Sequence, residues 1–77
     1  MDFTIGGEGF SLEPQEVERK LRGVEPEAIQ KVYVVINSRR YPVKQGLATA
    51  AGLMRSGFTT QDAIRVLRKL GFKLGEE

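Results

Sequence analysis

The chain has 77 residues, no cysteine, no histidine and a formal net charge of +2. That length supports one domain with a modest core, burying about 60–65% of the surface of the unfolded chain. The missing residue types exclude disulfides, thiolate metal sites and cysteine nucleophiles, and they remove the commonest general base and transition-metal ligand.

No apolar run approaches the roughly 20 residues that span a bilayer. No signal-peptide pattern opens the chain either, so a cytoplasmic protein without a membrane partner is expected. The small net charge conceals an asymmetry. Residues 1–30 hold seven acids against the three bases Arg19, Lys20 and Arg22, a balance of −4. Residues 31–75 hold nine bases against the single acid Asp62, a balance of +8. A positive face turned toward a polyanion produces this pattern, and so does a basic coat on a solvated surface.

In chain order, Phe3-Thr4-Ile5 and Phe10-Ser11-Leu12 flank a glycine-rich turn, which fits either a small hairpin or a frayed tail. These glycines are followed by no Lys-Ser/Thr and make no phosphate loop. A helix is expected from Pro14 to Arg22, with proline at its first position, an apolar stripe of Val17 and Leu21, and Gly23 as its stop. Glu16→Lys20 and Glu18→Arg22 are favourable i,i+4 pairs on its wet side. Val24 to Ile29 reads as a single proline-started helical turn. Val32-Tyr33-Val34-Val35-Ile36 is the clearest strand and, being apolar on both faces, is expected to be central and covered. Asn37-Ser38 turns the chain into Arg39-Arg40-Tyr41, with Arg39 and Tyr41 on one face and Arg40 on the other.

A second helix runs from Pro42 to Ala51 on Val43, Leu47, Ala50 and Ala51, closed by Gly52. Thr59 caps a third helix with Asp62 as the capping-box acid, and Phe58 staples onto Ala63. Ala63, Ile64, Leu67 and Leu70 form its expected buried face. Phe72-Lys73-Leu74 alternates and supplies a third strand. The expected fold is α+β: one domain over residues 1–77 with its core in 14–74. It has a three-stranded antiparallel or mixed sheet covered by three helices, with an N-terminal hairpin or tail.

Catalysis fails on inventory. The basic half holds one carboxylate, Asp62, already used at a helix start. A serine–lysine pair is conceivable, but no spacing builds it, and no cofactor or metal is implied. Binding chemistry is better represented. Gln61, Arg65 and Arg68 lie at i, i+4 and i+7 opposite the buried stripe with Lys69 beside them, a set suited to phosphate anchoring and base-edge contact. Arg39 and Arg40 come from the hairpin. Lys44 sits in a helix first turn, where a cation opposes the helix dipole. Tyr41 is a candidate for stacking on a base, although an aromatic at a strand end also serves as core. The last two helices suggest a helix-turn-helix, but the connection from Gly52 to Phe58 is longer than that motif's turn.

The run from Tyr33 to Lys44, then Ala51-Gly52, Phe58-Thr59 and Val66-Leu67-Arg68-Lys69-Leu70-Gly71-Phe72, resembles the small amino-terminal module ahead of HNH-type nuclease domains in McrA-like, modification-dependent restriction proteins. The likeness covers residues 14–74 and rests on short, mostly structural motifs. The chain departs from that module in its shorter loop between the last two helices, and a free-standing module without a nuclease domain is expected. The resemblance implies a DNA-associated role without catalysis and matches Arg39, Arg40, Tyr41 and Lys44.

The leading expectation is a nucleic-acid-binding module, for DNA more than RNA, using Arg39, Arg40, Tyr41, Lys44, Gln61, Arg65, Arg68 and Lys69. The arginines and Lys44 are expected on one continuous positive surface. The alternative is a protein-interaction or antitoxin-like regulatory subunit, using the acidic first helix or the N-terminal hairpin.

Overall fold

The computed structural model describes residues 1–77. Its amino-terminal segment is a hairpin, not a tail. Strands β1 (Asp2–Ile5) and β2 (Glu8–Ser11) pair antiparallel from Asp2↔Ser11 to Ile5↔Glu8. Gly6 and Gly7 have φ of 57° and 83°, the two positive values that a two-residue hairpin turn of matching twist requires. Phe3, Ile5 and Leu12 are buried, and the Phe3 and Phe10 rings lie 5.7 Å apart.

Helix α1 (Pro14–Leu21) has the expected proline start and apolar stripe, with Val17 and Leu21 fully buried. The expected Glu16–Lys20 and Glu18–Arg22 pairs do not form, and Glu16 instead accepts from Glu13 N at 3.3 Å. The segment after it does not form the expected helical turn; residues 24–29 are irregular. Two buried side chains from later in the chain take its backbone instead. The Gln45 amide donates to Glu25 O at 2.9 Å and accepts from Glu27 N at 2.9 Å. The Tyr41 hydroxyl reaches Val24 O at 2.8 Å and Leu21 O at 3.2 Å. These bonds outweigh what one isolated helical turn offers.

Strands β3 (Val32–Ile36), β4 (Arg39–Pro42) and β5 (Lys73–Glu76) form a wholly antiparallel sheet of order β4-β3-β5. The expected central position of β3 holds. The expected cover on both of its faces does not: Val34 and Ile36 are buried, whereas Tyr33 and Val35 are half exposed. All three helices occupy the Val34 side. On the outer side the Tyr33 ring lies across Gly75, where any Cβ would collide with it.

Helix α2 (Val43–Ala51) sits between α1 and α3 (Thr60–Lys69) and crosses β3 and β4. Its close approach depends on Gly46, where a Cβ would stand 3.1 Å from Val34 Cγ1 and 3.4 Å from Ile36 Cδ1. Gly52 closes α2 at φ 68°. The connection to α3 contains a short 3-10 turn, Arg55–Gly57. At the start of α3, Thr59 and Asp62 bond reciprocally: Asp62 N donates to Thr59 Oγ1 at 3.1 Å and Thr59 N donates to Asp62 Oδ2 at 3.0 Å. Phe58 is buried beside this cap. The buried face of α3 is Ala63, Val66 and Leu67, with Leu70 just beyond it. Val66 joins the face expected from the period, and Ile64 packs against the edge of the core and is only half-buried.

Candidate nucleic-acid interface

The basic residues expected on one surface are divided by the sheet. Strand alternation places Tyr41 opposite Val34, under the helices, and Arg40 opposite Val35 on the outer face. Tyr41 is fully buried, and its hydroxyl is committed to two carbonyls. It is a core residue and cannot stack on a base. The Arg40 guanidinium rests 4.5 Å from the Tyr33 ring centroid, with Glu77 at 4.0 Å. Since α3 lies on the other side of the sheet, Arg40 and the α3 cations do not share a face. Arg39 reaches back to Val24 O at 3.4 Å and to Glu25 at 3.8 Å.

The α3 stripe is divided too. Arg65 points to the hairpin, donating to Thr4 O at 3.3 Å and pairing with Asp62 at 3.5 Å. Lys69 is exposed. Gln61 and Arg68, seven residues apart, face the opposite flank with Ile64 between them.

That flank forms one wall of a groove of about 800 Å³. The opposite wall is the irregular segment at Glu27, Ala28 and Lys31. The start of α2 (Pro42 to Gln45) closes one side, and the ends of β3 and β5 contribute Val32 and Leu74. Lys44, Gln61 and Arg68 thus converge here from separate helices, joined by Lys31 and Arg55. Lys31 and Arg55 carry no local sequence signal that would place them at a site. Lys31 reaches the groove at the end of the segment that Gln45 holds at Glu25 and Glu27, and Arg55 reaches it from the 3-10 turn.

The rim holds four cations (Lys31, Lys44, Arg55, Arg68) and two carboxylates, Glu27 and Glu76, a balance of +2. Glu27 and Arg55 form a bidentate pair with both N···O distances at 2.6 Å. That hydrogen bonding holds the Glu27 carboxyl below, and the Arg55 guanidinium above, their ordinary pKa ranges. The other three differ. Lys31, Lys44 and Arg68 take part in none of the ion pairs of the molecule. Lys44 is kept at the rim by the buried Phe58 ring, with Nζ 5.3 Å from its centroid. This contact supplies a structural reason for a lysine in the first turn of α2, where the helix dipole disfavours it. Ala28, Val32, Val43, Ile64 and Leu74 are the apolar lining residues.

No helix is long and apolar enough to cross a membrane. Fold and groove together define a small α+β domain with a cationic cleft between its helical layer and one end of its sheet. Residues 1–77 match the family model described as SCO5918-like, and the chain belongs to that family. No curated protein and no solved structure matches it.

Proposed function

We propose that the chain is a non-catalytic nucleic-acid-binding module that engages phosphates through the groove rim at Lys31, Lys44 and Arg68. The carrying observation is that these three cations converge on one concavity without a carboxylate partner. An unpaired cation keeps its attraction for phosphate, whereas Arg55 must first release Glu27. Gln61 beside them offers both a donor and an acceptor to a base edge. The likeness to McrA-like modules favours DNA over RNA and a cytoplasmic, restriction-associated setting within the same proposal.

Fluorescence anisotropy with labelled oligonucleotides tests this reading. Affinity should fall steeply between about 50 and 200 mM salt, and Lys44→Gln/Arg68→Gln should flatten the log–log slope by about 0.7–0.9 for each phosphate no longer neutralised. Equal binding by parent and double variant, or no binding by the parent at low salt, refutes the proposal.

A second reading has its own observation. Ile5, Phe10, Leu53 and Met54 line a crevice of about 310 Å³ between the hairpin and the 3-10 turn, and Met54 is 77% exposed. An apolar partner segment seated there would make the chain a protein-interaction subunit. Such binding should barely respond to salt and should be lost in Met54→Glu.

A further inference from the structure

Resting on the nucleic-acid reading of the groove, we infer that its occupant is an unpaired stretch of nucleic acid, with phosphates on the cationic rim and a base against the apolar lining. Three features of the site point to this form.

The first is the distribution of polarity across the cleft. A surface built only for duplex phosphates needs cations and nothing beneath them. Here Lys31, Lys44 and Arg68 border a concavity whose lining includes Val32, Ile64 and Leu74. Ile64 is the telling residue. It packs against the edge of the core, is only half-buried, and turns its remaining surface into the groove among the cations. A backbone needs no isoleucine, whereas the flat face of an unstacked base has apolar surface to bury.

The second feature is size. At about 800 Å³ the groove falls within the range of sites that enclose small organic ligands, about 300–1,000 Å³. One or two nucleotides are ligands of that kind, whereas a duplex presents its bases only along edges recessed in its own grooves.

The third feature concerns α3. A recognition helix enters the major groove, about 12 Å wide, as a projecting rod. Helix α3 is flanked on both sides. On one side Arg65 is bonded to Thr4 O of the hairpin. On the other, Gln61, Ile64 and Arg68 line the groove together with Lys31 and Arg55. The side chains best suited to base recognition therefore line a cleft and do not crown a ridge.

Labelled oligonucleotides of about 12 residues, a length within the usual single-strand site sizes, distinguish the forms: oligo(dT), oligo(rU) and a mixed-sequence duplex at low salt. Both single strands, or one of them, should bind at least about tenfold tighter than the duplex, a difference of about 1.4 kcal/mol. Ile64→Ser should weaken single-strand binding by at least about fivefold and leave the weaker duplex binding unchanged. Gln61→Ala, at an exposed position, should likewise weaken single-strand binding if Ile64→Ser melts below the assay temperature. Duplex binding equal to or tighter than single-strand binding overturns the inference while leaving the binding module standing. So does undiminished single-strand binding by a folded Ile64→Ser or by Gln61→Ala. Failure of all three probes removes both.

Discussion

The outer face of the sheet and the groove beside α3 are built from the same ingredients and differ in what is left over. On the outer face Arg40 and the half-exposed Tyr33 would, by residue type alone, describe a stacking platform. The Tyr33 ring, however, covers Gly75, and Arg40 covers the ring with Glu77 in range. Each group already has a partner, and together they seal an edge strand that lacks a side chain at position 75, a known device for stabilising sheets. In the groove, Lys31, Lys44 and Arg68 have no acidic partner and surround an open concavity. Lys44 also touches a ring, that of Phe58, so the difference lies in the carboxylate: Arg40 has Glu77 in range and Lys44 has none.

The core common to both regions gives the largest expected effect. Leu67 is fully buried, with Cδ1 close to Gly46 beneath the sheet. Leu67→Ala should cost about 2–5 kcal/mol in chemical denaturation, a large share of the stability of so small a domain. A loss below about 1 kcal/mol would show that α3 is not docked on the sheet through this residue.

Next come the two faces themselves. Lys44→Gln/Arg68→Gln should lower oligonucleotide affinity about tenfold or more at low salt, while Arg40→Gln should change it less than about twofold. Similar losses from both sets would erase the distinction between cations with and without a carboxylate partner. Gly75→Ala gives the converse readout, because a methyl group there must displace Tyr33. It should destabilise the fold by about 1–3 kcal/mol without altering the affinity of the folded fraction, as followed by thermal melting and anisotropy together.

Tyr41 separates core from surface more finely. Tyr41→Phe removes the bonds to Leu21 O and Val24 O and should cost about 0.5–1.5 kcal/mol in denaturant unfolding. A variant that kept full stability but bound nucleic acid less well would return Tyr41 to the interface.

The smallest effect lies at the α3 cap. The backbone N–H of Thr59, followed by its side chain and Arg65, holds the Asp62 carboxyl below the usual carboxylate range. A pKa depressed on folding means that ionised Asp62 favours the fold above the unfolded value of about 3.9, and that this contribution disappears as pH falls through the lower folded value. Asp62→Asn should therefore melt below the parent near neutrality, with the gap closing as the pH is taken down to about 2. A gap independent of pH would mean that the charge of Asp62 plays no part in the cap.

Much of the architecture was legible because its causes are local. Pro14 and Gly23 bound α1, Thr59 and Asp62 start α3, and the β-branched run at Val32–Ile36 forms a strand wherever it is placed. Each signal acts within about one turn or one strand. Two of the misread features failed for the opposite reason. Residues 24–29 carry a local proline signal, but the buried Gln45 and Tyr41 claim their backbone. The alternative stripe containing Ile64 fits a 3.6-residue period as well as the one containing Val66, and only packing against α2 and the sheet chooses between them.

The candidate site was legible in smaller part. By itself the sequence determined the α+β class, the central hairpin and the α3 cap, the absence of cysteine and histidine chemistry, and a basic second half that includes Lys44, Gln61 and Arg68. It left residues 1–12 open between hairpin and tail. Only the tertiary structure decided which basic residues are free. It set Arg39 against Glu25, Arg40 against Tyr33, Arg55 against Glu27 and Arg65 against Thr4, and it left Lys31, Lys44 and Arg68 around one cleft. The physical reason is range. Capping and periodicity act over a few residues, whereas Arg55 meets Glu27 across 28 positions and Arg65 meets Thr4 across 61, separations that only the packed fold can close.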